Sequence, residues 1–200
     1  MSQTPITVAF FGISGSGKGT QADLLEKFLR ERDPARDVVR AEMGNLARAF
    51  MKSGTPLAEA ANSIVSSGGL LPSFIPIHLL VKHFDEAKVV GDEHFIFDGT
   101  FRKPLQSEVG DEIAQFYGRA EKHAIMLDLR KDAARTRLLA RGRADDATIE
   151  ALDRRFEWFE KDVIPSFHRL GELGWKMHEV NGEGTIEGIH GEVLTNLALK

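Results

Sequence analysis

The chain has no cysteine. Disulfides and thiolate-ligated metal sites are thereby excluded. A basic excess is missing too: 26 Lys and Arg stand against 30 Asp and Glu, a net charge of −4. That balance gives no electrostatic case for a nucleic-acid partner or an anionic membrane. No apolar run approaches the roughly 20 residues of a membrane span. The apolar run near the N-terminus is short and leads straight into a glycine loop. It lacks the basic flank and cleavage site of a signal peptide, so a cytoplasmic protein is expected. The seven histidines show no ligand spacing. No serine sits in a nucleophile-elbow pattern, and there is no internal repeat or low-complexity tract.

What is present is ordinary for a globular protein: 200 residues, 42% hydrophobic and 28% charged. That length fits one domain with room for a substantial core. Strand-like and helix-like segments alternate. Strands are expected over residues 6–11, 37–40, 94–97, 124–129 and 175–180. Helices are expected over 20–30, 46–52, 58–66, 74–86, 105–117, 132–141, 147–170 and 186–199. Such alternation implies a three-layer α/β fold, a parallel sheet of about five strands with helices on both faces. Two stretches read as excursions from the sheet: a helical insertion over about 43–86 and a short basic loop over about 141–147.

The first strand runs into Gly12-Ile13-Ser14-Gly15-Ser16-Gly17-Lys18-Gly19-Thr20 and then a helix. The glycine and lysine spacing is that of a Walker A phosphate loop. Glycines let the backbone curl so that successive N–H groups point at phosphate oxygens, and the helix N-terminus adds partial positive charge. Lys18 is placed to span the β- and γ-phosphates. The hydroxyl that usually follows the lysine comes one position later, at Thr20. The loop alone says only that a nucleotide is bound. A second sign is the apolar run ending at Asp98, a Walker B arrangement in which the acid orients water on Mg²⁺.

Gly15-Ser16-Gly17-Lys18-Gly19-Thr20-Gln21-Ala22 resembles the loop of adenylate kinases and their UMP/CMP kinase relatives. Three further segments resemble that family's monophosphate site, in the family's order. Met43-Gly44-Asn45-Leu46-Ala47-Arg48 is similar to its Thr-Gly-Asp-Met-Leu-Arg, with Met43 and Asn45 as departures. The resemblance puts Arg48 on the AMP phosphate, where a guanidinium fork makes paired hydrogen bonds. Residues 68–73 resemble the turn that lines the pocket, and read equally as a plain helix–turn–helix link. Asp98-Gly99-Thr100-Phe101-Arg102, with Gln106 beyond, resembles Asp-Gly-Phe-Pro-Arg-x-x-x-Gln. It implies Gly99, Arg102 and Gln106 at the AMP site, Arg102 bridging the phosphates and Gln106 reading adenine. The family's Phe-Pro bond is typically cis. Thr100-Phe101 therefore implies either a costly non-proline cis bond, about 2.5–4 kcal/mol, or a rearranged loop.

Basic residues around the loop after the fourth strand complete the resemblance. It implies Arg137 over the ATP base, Arg141 on the phosphates, and Arg143 and Arg155 around the transferred group. The ten-residue spacing to Pro165 favours Arg155 over Arg154. Asn181-Gly182-Glu183-Gly184 matches the turn whose backbone touches the ATP base, Gly184 included, and reads equally as a simple loop. The implied activity is reversible transfer of a phosphoryl group from MgATP to AMP, giving two ADP. The implied ATP site is Gly15 to Thr20 with Arg137 and Gly184. The AMP site is Met43, Arg48, Gly99, Arg102 and Gln106. Mg²⁺ would sit near Thr20 and Asp98 through water, and the Cys-ligated zinc of some relatives is not expected. ATP and AMP would be the only partners, bound by a monomer. Two alternatives stay open: a UMP, CMP or other monophosphate acceptor, and a nucleotide-binding regulator with weak transfer activity.

Overall fold

A strand buried on both faces organises the chain. The computed structural model describes residues 4–141 and 149–200. Every residue of β1 (Thr7–Gly12) is buried. It lies between β3 (His94–Asp98) and β4 (His123–Asp128), with β2 (Val38–Glu42) and β5 (Lys176–Asn181) outside them. The order is β2-β3-β1-β4-β5, and every pairing is parallel. All five expected strands form, offset by one or two residues at most.

The two-residue period of β1 assigns its side chains to opposite layers. Val8 and Phe10 join Leu25, Leu29 and Val193 beneath α1 (Lys18–Arg32) and α9 (Ile186–Asn196). Ala9 and Phe11 point the other way, into a cluster rich in aromatic rings: Phe84, Phe95, Phe97, Phe101, Phe167 and Trp175. That face is covered by α4 (Phe74–Glu86), α5 (Pro104–Phe116) and α8 (Ile164–Glu172). Between β2 and β3 the chain leaves the sheet for α2 (Met43–Met51), α3 (Pro56–Ser66) and α4. Thr55 caps α3 by accepting from the Ala58 N–H at 3.2 Å, with Pro56 in the first turn. The remaining helices are α6 (Lys131–Arg141) and α7 (Ile149–Trp158). No helix among the described residues is long and apolar enough to cross a membrane.

Two expectations are corrected. The continuous helix over 147–170 is instead α7, a π-helical turn at Phe159–Val163, and α8. Pro165 supplies the reason: it has no N–H for the Lys161 carbonyl, and its ring crowds that carbonyl. The widened turn just upstream absorbs the conflict. The last strand begins at Lys176, not Trp175. Trp175 is drawn into the core, where its indole N–H donates to Asp111 at 2.8 Å. Edge strand β5 is therefore mostly polar, which discourages pairing with other chains.

At the far end of the sheet from Gly12 and Asp98, the buried His123 stacks on His178, Nδ1 to Nε2 3.1 Å. Burial, then the neighbouring His178 and Lys176, push His123 down to about 4. Glu121, 3.8 Å from its Nε2, is the opposing charge. Unfolded histidine titrates near 6.5, so below that pH the unfolded chain binds the extra proton first, and acid destabilises the fold. Urea unfolding of the chain and of His123→Asn should match near pH 7.5 apart from a constant offset. At pH 5 the histidine should cost the parent about 2 kcal/mol relative to that offset. An offset that does not change with pH would contradict the assignment.

Candidate active site

The C-terminal ends of β1 and β3 carry the first elements of the site. After Gly12 the chain makes a tight turn, with Ser16 N–H donating to the Ile13 carbonyl at 3.0 Å. Any side chain at Gly12 would collide with Ser16 Oγ at 2.5 Å and the Leu127 carbonyl at 2.7 Å. Gly17 is the N-cap of α1, in the left-handed region at φ 95°, with no side-chain cap. A Cβ there would meet nothing within 4 Å. The first N–H groups of α1 thus face an open concavity, which is what an anion site requires. The Lys18 ammonium leans across the loop, donating to the carbonyls of Gly12 (2.7 Å) and Ile13 (3.0 Å). Thr20, the third residue of α1, is exposed.

Asp98 ends β3 and is 6% exposed. Its Oδ2 accepts from Arg40 Nη2 at 2.7 Å. Arg40, on β2, also donates to Asp23 and, at 3.3 Å, to the Gly19 carbonyl. Glu26 and Glu42 lie 3.6 and 3.7 Å from its guanidinium. Burial disfavours the Arg40 cation, but the hydrogen bonds and charges of Asp23 and Asp98 together outweigh it and hold Arg40 above its ordinary range. Arg40 was not expected from the sequence; β2 also carries Glu42, so a charged side chain in that strand does not by itself mark it. Burial, then the Asp98 charge, raises Glu42.

On the opposite wall Met43 opens α2 and is buried. Arg48, one turn on, donates to Asn45 Oδ1 at 2.5 Å and lies 3.5 Å from Glu42. The loop after Asp98 settles the question posed by Thr100-Phe101. No peptide bond among the described residues is cis, so the loop is the rearranged form. Gly99 takes a left-handed φ of 58°. Thr100 Oγ1 donates to the Ala41 carbonyl at 2.8 Å. The Phe101 ring is buried, 4.8 Å from Phe97 and against Gly110. Arg102 then donates from Nε to the Gly99 carbonyl at 3.1 Å, and its N–H to Gln106 Oε1 at 2.8 Å. Gln106 Nε2 reaches Ser73 Oγ at 3.4 Å. Part of the Gln106 amide therefore holds the loop itself.

These walls enclose one cleft of about 1080 Å³. Its lining includes the phosphate loop from Gly15 to Thr20, then Arg40, Met43, Arg48 and Asp98. Gly99, Arg102, Gln106, Arg137, Arg155 and Gly184 line it too. Arg137 donates to the Gly182 carbonyl at 3.0 Å, tying α6 to the turn after β5. The side chain of Arg141, and Arg143 with the loop around it, lie outside the described residues. The volume exceeds the upper end of ordinary small-ligand pockets, with a phosphate cradle on one wall and arginines on the others.

A parallel sheet whose central strand feeds a glycine loop and an uncapped helix, facing arginines across a cleft, defines a P-loop phosphotransferase. The adenylate kinase family profile matches residues 10–169. Adenylate kinase 1 of Nostoc sp. is 32% identical over 188 residues, covering 94% of this chain and 96% of the relative. Adenylate kinases of Bacteroides fragilis and Corynebacterium diphtheriae are 31% and 29% identical, with the same coverage. The chain belongs to the adenylate kinase family.

Two substitutions test how the site is held. In Gly110→Ala the new methyl would lie 2.2 Å from the Phe101 ring, which Phe97 and Trp175 hem in. Overpacking of about 1–3 kcal/mol should outweigh the roughly 1 kcal/mol gained in helix propensity, giving a lower Tm and weaker AMP turnover. An unchanged Tm would show that the ring is not pinned. Arg40→Met leaves Asp98 buried without its cation, which should cost about 3 kcal/mol in urea unfolding. A loss below about 0.5 kcal/mol would show that the pair is not structural.

Proposed function

We propose that the chain moves the terminal phosphoryl group of MgATP to AMP, reversibly, with the two nucleotides end to end in the one cleft. A single observation carries this reading: the phosphate loop with Lys18 and the arginines Arg48, Arg102, Arg137 and Arg155 line the same cavity. Transfer of a phosphoryl group asks little covalent chemistry of the protein; it asks for alignment, cations and exclusion of water. ATP phosphates lie on the N–H groups of residues 15–20, and the Lys18 ammonium swings from the Gly12 and Ile13 carbonyls to the β- and γ-oxygens. Arg48 and Arg102 hold the AMP phosphate. An oxygen of that phosphate attacks the γ-phosphorus in line, and the bond to the β-phosphate oxygen breaks to release ADP. Arg102 and Arg155, with Arg141 and Arg143 from the loop over 141–147, stabilise the charge on the transferred group. No general base and no covalent enzyme intermediate are needed.

Mg²⁺ fits the oxygen-only donors near the loop, Thr20 and Asp98. Among the described residues no group of three or more acidic or histidine side chains could hold a metal ion. Bound with the nucleotide, Mg²⁺ would neutralise phosphate charge, and Thr20 and Asp98, the latter fixed by Arg40, would face its water shell.

Adenine of AMP lies against Met43 and Gln106. Gln106 Oε1 keeps a second lone pair beside the one given to Arg102, and the long bond that Gln106 Nε2 donates to Ser73 Oγ is readily exchanged for one to a base nitrogen. The insertion over 43–86 is the element that seats AMP. A cytoplasmic monomer, with nucleotides as its only partners, completes the reading; the net charge of −4 gives no electrostatic case for a nucleic acid or an anionic membrane.

Coupled ADP formation with ATP against AMP, UMP, CMP and GMP tests this. AMP should lead in kcat/KM by at least about tenfold. Lys18→Ala should cut kcat by about 10²–10³, and Arg48→Ala should mainly raise KM for AMP. A lead by UMP or CMP would reassign the acceptor. No turnover with any acceptor would favour the regulatory alternative.

A further inference from the structure

Trp158 closes α7 just before the π-helical turn and is one of only two tryptophans. From the sequence it reads as a packing residue, yet it lines the nucleotide cleft. Two contacts distinguish it. Its indole N–H donates to the Gly68 carbonyl at 3.2 Å, across 90 positions of chain. Its ring lies 5.6 Å from the Arg102 guanidinium carbon, within cation–π range. Gly68, two residues beyond the end of α3, has a left-handed φ of 80°, and its backbone lies directly on α7: a Cβ there would meet Arg154 Nε at 3.0 Å and Ala151 at 3.3 Å. One side chain therefore joins the helical insertion, the helix after the arginine loop, and Arg102.

The consequence is mechanical. Three contacts with described residues help hold Arg102: the Gly99 carbonyl on Nε, Gln106 on its N–H, and the Trp158 face on its guanidinium. Two of the three lie within its own loop or helix α5. The third comes from α7, and through the Gly68 carbonyl it is tied to the insertion between β2 and β3.

We propose that Trp158 is a positioning residue that couples the seat of the acceptor nucleotide to the orientation of Arg102. Movement of the insertion pulls on the indole through Gly68, and the indole face sets the plane of the guanidinium. This rests on the reading of Arg102 as a phosphate-bridging group. Trp158 touches no reacting atom; its effect passes through Arg102.

Trp158→Phe keeps a ring over Arg102 and loses only the hydrogen bond to Gly68. It should raise KM for AMP about threefold with kcat within about twofold. Trp158→Leu removes both contacts and should cut kcat/KM for AMP about tenfold, while KM for ATP moves less than about twofold and the Tm by no more than a few degrees. Trp175 is 3% exposed and buried in the core, so the difference in emission between the parent and Trp158→Phe reports on Trp158. That difference should change when AMP is added. Equal losses on the ATP and AMP sides, or an emission difference that ignores AMP, would overturn the proposal. Arg102→Ala separates the two claims. If it keeps full activity, the bridging role of Arg102 falls by itself. If it is impaired, Trp158→Leu should do less harm in the Arg102→Ala background than in the parent. Losses that simply multiply would show no coupling.

Discussion

A row of backbone N–H groups with no internal partner, set at the C-terminal edge of a buried strand, is the constraint on which everything else depends. Such groups are costly unless something anionic or polar meets them. Here Gly17 opens α1 without a side-chain cap, and Gly12 lets the loop pack tightly on Ser16 and Leu127. Burial of β1 on both faces fixes where that turn emerges. Parallel pairing with β3 then brings Asp98 alongside Phe10 in register, so the acid lands beside the loop with no further device. Lys18, the helix amides and Asp98 are thus consequences of one strand being held rigidly in the middle of the sheet.

The opposite wall is built by different means. In this chain the loop from Gly99 to Lys103 has no proline, and its shape comes from packing and polar anchors. Phe101 is sunk into the aromatic layer, Thr100 bonds to β2, and Gln106 clasps the N–H of Arg102. Gly110 leaves the space that the Phe101 ring fills. A large aromatic side chain and a small helical residue are therefore complementary parts of one solution. Arg40 plays a comparable part on the other flank. It gathers Asp23, Asp98 and nearby carboxylates around one guanidinium, which keeps several negative charges close to a phosphate site without leaving them unbalanced.

Legibility in the sequence followed distance along the chain. The phosphate loop is nine consecutive residues, and its chemistry is stated by their order alone. Strands β1, β3 and β4 were readable as short apolar runs, the more polar β2 and β5 by their place between helical stretches, and all five form close to their expected limits. Arg40 and Trp158 were not legible, since their partners stand 58 and 90 positions away and nothing local marks them. The division of Gln106 between Arg102 and Ser73 depends on backbone geometry that a residue spacing does not encode. The break in the long helix before Pro165 had a visible cause, but helical periodicity on either side masked it. Trp175 was misplaced because an aromatic residue beside an apolar alternation reads as strand, whereas the hydrogen bond to Asp111 pulls it out of the sheet.

The central claim is that donor and acceptor phosphates meet in one cleft between Lys18 and Arg102. A crystal structure with a bisubstrate dinucleotide, two adenosines joined through five phosphates, addresses it most directly. The account predicts one ligand per chain, its phosphates running from the N–H groups of residues 15–20 to Arg48, with Arg102 and Arg155 in contact with the bridging phosphates. A ligand confined to the phosphate loop, its second adenosine in solvent and Arg102 out of contact with the phosphates, would contradict it.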